Sequence, residues 1–179
     1  MRDKELFFDT DCLSSFLWIN DTNILQTLYG GRIVIPEPVF QELLNPCVPH
    51  IGKRTKILIE TNIASLWKME IDKEEYKLYR SLIGGSIRDK AIGKGEAASI
   101  ALARTYHGIL ASNNWKDIVP YIKKYNLKCI DTGHILLEAF KKEIITECEG
   151  ERIWQQMLDK NRNLPDQTFR AYLEKEGAK

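Results

Sequence analysis

Carboxylate and amide side chains in this chain fall just after short apolar runs or at the starts of helix-like segments. Asp9 follows the run Leu6–Phe8, and a Ser-Asn-Asn turn follows the run that ends at Ala111. Carboxylates that converge on one cleft repel each other unless a cation lies between them. Mg²⁺ and Mn²⁺ prefer oxygen ligands of this kind. The pattern therefore predicts a divalent-metal site that draws on Asp9, Glu42, Glu96, Asn114 and Asp117.

Five short apolar runs alternate with helix-length segments and would position these side chains. The runs are Leu6–Phe8, Ile33–Ile35, Ser65–Met69, Gly108–Ala111 and Lys128–Ile130. Runs of this length, bounded by polar or turn residues, are typical of buried parallel strands joined by right-handed crossovers. Ligands bind beyond the carboxyl ends of the strands in an open sheet of this kind. The polar residues fall at that edge.

The helices are predicted from their end signals and their apolar spacing. They are Val39–Leu44, Lys73–Leu82, Gly95–Thr105, His134–Glu143, Glu151–Asp159 and Asp166–Glu174. The third of these is rich in alanine, which allows a close approach to the sheet. We therefore expect one three-layer α/β domain with a central parallel sheet over residues 1–145. A helical C-terminal extension over residues 146–179 is expected to pack on the same domain.

Composition and charge exclude several classes of protein. With 44% hydrophobic and 28% charged residues, the chain is typical of a globular domain. Its net charge of +1 gives no global field for a polyanion, which would have to bind at a local basic patch. No signal peptide and no membrane span are predicted. The four cysteines contain no close pair, so we expect no zinc site and reduced thiols in the cytoplasm.

Five segments resemble those of the PIN-domain ribonucleases and occur in the same order. They are Phe7–Asp11 (FFDTD), Ile33–Leu44 (IVIPEPVFQELL), Gly93–Ala103 (GKGEAASIALA), Ile109–Ile118 (ILASNNWKDI) and Asp131–Leu137 (DTGHILL). The resemblance spans most of the chain before the C-terminal extension. It implies a PIN fold in which Asp9, Glu42 and Glu96 are the first three acidic site residues.

One departure from the family pattern concerns the end of the fourth strand. The family usually has Asp there, and this chain has Asn114, or Asn113 if the register differs by one residue. An amide oxygen can ligate Mg²⁺ but brings no charge, so metal affinity should be lower. Asp117, about one helical turn further along, is the acidic residue that would compensate.

The resemblance implies metal-assisted hydrolysis of RNA phosphodiester bonds, with Mg²⁺ or Mn²⁺ as the cofactor. Asp9 and Glu96 would be direct ligands, and Asn114 and Asp117 would complete the shell. Glu42 would ligate the metal or orient the attacking water. The implied substrate is single-stranded or structured RNA. The implied setting is a toxin–antitoxin pair whose antitoxin protein blocks the cleft, and a homodimer is left open.

Two other functions remain open from the sequence. The first is a PIN-fold module that binds RNA or a protein partner without catalysis, with the asparagine marking lost chemistry. The second is a Rossmann-like nucleotide binder. That class needs a glycine-rich turn after the first strand, and this chain has Asp9, Thr10 and Asp11 there.

Each candidate residue also has an ordinary structural explanation. Asp9 would suit the N-cap of a helix that begins at Cys12 or Leu13. Glu96 would complement a helix dipole, and Glu42 would be a surface residue. The Ser-Asn-Asn turn with its following aspartate is also typical of a plain turn and helix cap.

Four further residues near the predicted site have open roles. Asp11 and Asp131 fit strand-end caps. Lys94 would contact a substrate phosphate beside the third acidic residue. Trp115 has a core or interface role as its default, and the alternative is that it stacks on a base.

Overall fold

The central feature of the chain is a fully parallel sheet. The computed structural model describes residues 4–85 and 91–177, and within them the sheet has five strands in the order β3-β2-β1-β4-β5. The strands are β1 (Leu6–Phe8), β2 (Ile33–Pro36), β3 (Ala64–Trp67), β4 (Ile109–Ala111) and β5 (Lys128–Ile130). Every predicted strand is present, and the third begins and ends earlier than expected.

Helices connect and cover the strands. They are α1 (Thr10–Ile19), α2 (Asn23–Tyr29), α3 (Glu37–Leu43), α4 (Pro49–Glu60), α5 (Glu74–Gly84), α6 (Lys94–Thr105), α7 (Trp115–Tyr125), α8 (Thr132–Lys141), α9 (Glu147–Asp159) and α10 (Phe169–Gly177). All six predicted helices exist, with ends that differ by a few residues. No helix was predicted at the positions of α2, α4 and α7. α1 begins at Thr10, directly after Asp9, and so starts earlier than the predicted Cys12 or Leu13.

The sheet is buried on both faces, which confirms the three-layer α/β architecture. Leu6 and Phe8 of β1 pack into one apolar cluster, which includes residues of α1, α3, α4 and α8. Phe7 packs on the other face with the alanine-rich side of α6. Both clusters contain fully buried side chains. Because strands buried on both faces are apolar at every position, their sequences are continuous apolar runs without alternation.

The two C-terminal helices share the core of the sheet. Trp154 of α9 and Phe169 and Tyr172 of α10 are buried in the same cluster as β1. A Cβ at Gly150 would lie 2.3 Å from the Phe169 ring, so glycine allows this close approach of α9. A capping box between Thr146 and its third helical residue fixes the start of α9. A domain division at residue 145 stays a prediction.

In the described parts of the chain, no helix has both the length and the apolar character that crossing a membrane requires.

Candidate metal centre at the carboxyl ends of β1 and β4

The order of the strands creates a crevice between β1 and β4. From β1 the chain moves outward through β2 and β3, and then returns to the other side of β1 with β4 and β5. The crossover connections therefore diverge at the carboxyl ends of β1 and β4, where open α/β sheets bind ligands. Asp9 follows β1, and its amide donates a hydrogen bond to the carbonyl of Ala111, the last residue of β4 (2.9 Å). Asn113 and Asn114 come just after β4.

Asp9 is buried at this point, with only one of its two carboxyl oxygens satisfied. The side chain is 1% exposed, and Oδ1 accepts a hydrogen bond from the amide of Cys12 (2.8 Å), which makes Asp9 the N-cap of α1. Oδ2 is buried and makes no hydrogen bond of standard geometry with the described residues, and the Ser112 hydroxyl is a polar group that approaches the carboxyl. A buried, unpaired carboxylate oxygen is costly unless a proton or a cation meets it. The capping explanation accounts for Oδ1 and leaves Oδ2 for a ligand.

The environment of Asp9 favours its protonated form when no cation is present. The pKa of Asp9 is raised to about 7, mainly by burial and to a smaller extent by the nearby charges of Asp11 and Glu96. The hydroxyl of Ser112 and the amide of Cys12 act in the opposite direction. Desolvation and like charges are the two effects that a divalent cation would reverse.

A pocket of about 270 Å³ brings together three of the predicted site residues. Its lining is Asp9, Thr10, Asp11, Glu42, Gly93, Gly95 and Glu96. The close approach of α6 to β1 helps to place Glu96 here. The hydroxyl of Ser99, one helical turn after Glu96, donates to the carbonyl of Phe8 (2.9 Å). The alanines of α6, buried against the sheet, permit this approach.

Asn114 connects the third and fourth acidic candidates. Its Nδ2 donates to Glu96 Oε1 (2.5 Å) and to Asp117 Oδ2 (2.9 Å). Burial raises the pKa of Glu96, and the charges of Asp117 and Asp11 add to this effect, while the Asn114 amide lowers it. In this arrangement the partial positive charge of the amide lies between two carboxylates. An aspartate at the same place would bring a third negative charge to them.

Asn113 has a different role, which favours Asn114 as the family's fourth position. Its Oδ1 accepts hydrogen bonds from the amide of Thr132 (2.9 Å) and from the Thr132 hydroxyl (3.0 Å). Its Nδ2 donates to the hydroxyl of Ser15 (3.3 Å). Asn113 is therefore a buried link between the end of β4, α1 and α8.

Glu42 lies in the pocket as the sequence predicted, and it is held by two hydrogen bonds. Oε1 accepts from the amide of Gly95 (3.0 Å), and Oε2 accepts from the hydroxyl of Thr10. A Cβ at Gly95 would lie 2.7 Å from Glu42 Oε2 and 2.8 Å from Thr10 Oγ1. The glycine therefore leaves room for this carboxylate at the start of α6. Sequence reasoning missed both Thr10 and Gly95, although a glycine inside a helix's first turn was a visible signal.

Asp131 is a helix cap, as its alternative explanation proposed. Oδ1 accepts from the amide and from Nδ1 of His134 (2.8 and 2.7 Å), and Oδ2 accepts from Nε1 of Trp115 (2.7 Å). Burial would raise the pKa of Asp131, but these hydrogen bonds and the His134 ring outweigh burial and lower it. Asp131 is thus buried like Asp9 but fully satisfied. Asp11, in contrast, is exposed and lines the pocket.

The donor set fits a hard divalent cation that would bind with several of its own waters. No three His, Cys, Asp or Glu side chains of residues 4–85 and 91–177 are close enough to form a complete ligand group. The fit rests instead on the unpaired Oδ2 of Asp9, in a pocket that it shares with the carboxylates of Glu42 and Glu96. One or two carboxylates with waters are the usual protein ligands of Mg²⁺. Asp9 and Glu96 are the residues that would hold the ion.

Comparison with known families agrees with the fold and the arrangement of the site. The family model of DUF3368, a PIN domain, matches residues 5–178. The chain therefore belongs to the PIN-domain family. PIN domains are a nuclease-type fold and typically use divalent metal ions. No curated protein matched the chain.

Proposed function

We propose that this PIN domain is a Mg²⁺- or Mn²⁺-dependent ribonuclease. The observation that carries the proposal is the buried Asp9 Oδ2, which makes no hydrogen bond of standard geometry in the described structure and lines a pocket with Glu42 and Glu96. A protein that used Asp9 only as a helix cap would need one of its oxygens, and Asn would serve as well. The second oxygen and the charge are explained by a ligand of opposite charge.

The residues of the pocket have separate roles in the proposed phosphodiester hydrolysis. A bound Mg²⁺ or Mn²⁺ would activate water and neutralise charge on the scissile phosphate. Asp9 and Glu96 would hold the ion, and Asn114 sets the positions of Glu96 and Asp117 relative to each other. Glu42, fixed from both sides, accepts a hydrogen bond from the attacking water and orients it. No covalent nucleophile takes part.

RNA is the substrate that we propose, in single-stranded or structured form. Lys94 at the start of α6 is exposed and has no hydrogen-bond or ion-pair partner among the described residues, so it is available to a phosphate beside Glu96. A toxin role, with an antitoxin protein over the cleft, and a homodimer both belong to this proposal. All four cysteines are free thiols, in keeping with a reducing cytoplasmic location.

A second candidate function is a PIN-fold module that binds RNA or protein without cleaving it. The observation that favours it is the geometry of Asn114, whose amide nitrogen faces Glu96 and Asp117 as a donor. An amide can take the place of a cation in separating two carboxylates. Such a module would keep the fold and the cleft but would bind metal weakly.

Metal binding and cleavage together decide between the two functions. Mn²⁺ is titrated by calorimetry into the wild type, Asp9→Asn and Glu138→Gln, and each is assayed on a labelled single-stranded RNA with Mn²⁺ or with EDTA. The control replaces a half-buried carboxylate that accepts a hydrogen bond from Tyr29 and lines neither the acidic pocket nor the cavity beside Trp115. We expect Mn²⁺ binding and Mn²⁺-dependent cleavage in the wild type and the control, and neither in Asp9→Asn. RNA binding by the wild type without cleavage at millimolar Mn²⁺ would establish the second function.

A further inference from the structure

A second cavity of about 170 Å³ is connected to the candidate metal centre through Asn114, which lines the cavity and hydrogen-bonds to Glu96. It is formed by the start of α7 and by the segment that joins α9 to α10. The side chains that matter for its chemistry are Asn114, Trp115, Lys116, Asn163, Leu164 and Pro165. Its volume equals that of about six water molecules at roughly 30 Å³ each. This space suits one flat ring system and is too small for a whole nucleoside.

The aromatic wall of the cavity is held in a fixed orientation. Nε1 of Trp115 donates to Asp131 Oδ2 (2.7 Å), and Asp131 is itself fixed as the N-cap of α8. Asn113 and Asp131 are both buried and also line the cavity. The prolyl ring of Pro165 packs on the start of α8, since a Cβ at Gly133 would lie 2.9 Å from its Cγ. The walls are thus preorganised by α7, α8 and the C-terminal segment.

Two polar side chains that line the cavity make no polar contact within the described structure. Asn163 and Lys116 are exposed, and neither has a hydrogen-bond or ion-pair partner in the described ranges 4–85 and 91–177. The amide of Asn163 offers both a donor and an acceptor, which matches the edge of a nucleobase. The ammonium of Lys116 offers a charge for a phosphate. Aromatic faces such as that of Trp115 are the usual stacking surfaces for unpaired bases.

Asn114 links this cavity to the acidic pocket. Asn114 lines the cavity, and its side-chain amide donates hydrogen bonds to Glu96 and Asp117. Asn114 therefore joins the acidic pocket, where a phosphate would bind, to the cavity, where a base would bind. We propose that the cavity is a nucleobase subsite, in which a base of the bound RNA stacks on Trp115 and its edge bonds to Asn163. The subsite rests on the proposed ribonuclease function.

The amide pair Asn163 and Gln167 gives a matched test of the subsite. Both are exposed amides on the segment between α9 and α10, and Gln167 does not line the cavity. Fluorescence anisotropy in the presence of Ca²⁺ measures the binding of four labelled single-stranded RNAs that differ in base composition. The proteins compared are the wild type, Asn163→Ala, Gln167→Ala and Trp115→Leu. We expect Trp115→Leu to weaken binding about tenfold, as loss of base stacking does. Asn163→Ala should change the preference among the four RNAs several-fold, and Gln167→Ala should change nothing.

A second readout reports stacking directly and does not depend on cleavage. Nucleoside monophosphates should quench the tryptophan fluorescence of the wild type and of Gln167→Ala, and this quenching should be absent in Trp115→Leu. The subsite is overturned, while the ribonuclease proposal stands, if the wild type binds and cleaves RNA but Asn163→Ala and Trp115→Leu keep its affinity and base preference. A wild type that binds no RNA overturns both proposals.

Discussion

Relative to the wild type, Asp9→Asn is expected to be more stabilising at pH 8 than at pH 5 in the metal-free protein. The substitution keeps an oxygen for the N-cap of α1, because asparagine caps helices about as well as aspartate. It removes the buried charge, whose cost can be worked out from the pKa. Burial raises this pKa from 3.8 to about 7. At roughly 1.4 kcal/mol per pKa unit, the ionised Asp9 costs the native state about 4 kcal/mol.

The sign of the pH dependence follows from the raised pKa. Between pH 3.8 and about 7 the native state binds the proton of Asp9 more tightly than the unfolded state does. The stability of the wild type therefore falls as the pH rises through this window. About 3 kcal/mol of the loss lies between pH 5 and pH 8. The Asp9→Asn variant lacks this loss, and any constant effect of its amide is the same at both pH values.

Urea unfolding followed by tryptophan fluorescence, in EDTA at pH 5 and at pH 8, measures this difference. We expect the stability of Asp9→Asn minus that of the wild type to rise by about 3 kcal/mol from pH 5 to pH 8. Asp131→Asn is the control, because its pKa is lowered by hydrogen bonds, and it should destabilise the fold at pH 8. An equal difference for Asp9→Asn at both pH values would refute the argument, since the charge of Asp9 would then cost nothing.

Three further substitutions test other parts of the structure. Gly95→Ala should displace the carboxylate of Glu42 and reduce cleavage at least tenfold. The free energy of urea unfolding should change by less than about 1 kcal/mol, because alanine has a higher helix propensity than glycine. Undiminished cleavage would remove Glu42 from the mechanism. Asn114→Asp should tighten Mn²⁺ binding about tenfold in calorimetry, since a unit charge near the ion is worth about 1 to 4 kcal/mol. Asn113→Asp should lower the stability of the fold without tightening Mn²⁺ binding. If neither variant differs from the wild type in Mn²⁺ affinity, the turn is not part of the metal site. Gly150→Ala should cost about 2 kcal/mol in urea unfolding, because its methyl group overlaps an aromatic ring of α10, and a variant as stable as the wild type would contradict that packing.

The sheet could be predicted from the sequence because buried parallel strands are continuous apolar runs. β1, β2 and β5 begin where their runs begin, as Leu6, Ile33 and Lys128 show. The edge strand β3 was predicted less well. Its exposed Ser65 and half-buried Leu66 and Trp67 give a weaker apolar signal.

Two of the missed helices give a weak or misleading signal in the sequence. α1, which begins earlier than the predicted start at Cys12 or Leu13, opens with the polar residues Thr10 and Asp11. α7 contains Pro120 within the helix, and proline inside a helical pattern usually predicts a break. α2 is a short helix without a side-chain cap.

The residue types of the site could be predicted, but their contacts could not. Asp9, Glu42 and Glu96 follow predicted strands or lie in predicted helices, and this predicted that they lie at one edge of the sheet. All three line the pocket. The hydrogen bonds of Asn114 and the role of Gly95 depend on how closely α6 approaches β1. That distance is set by packing across the sheet, for which a single sequence gives only the alanine content of the helix.

Anomalous diffraction from crystals grown with Mn²⁺ tests the central claim most directly. Asp9 Oδ2 is the atom that the account assigns to the cation. We predict an anomalous peak in the pocket of Asp9 and Glu96, about 2.1 Å from Oδ2, as expected for an ion that binds in the manner of Mg²⁺. The peak should be absent in Asp9→Asn and present in Glu138→Gln. A wild-type crystal at millimolar Mn²⁺ with no peak in this pocket, or with its peak elsewhere, would contradict the account.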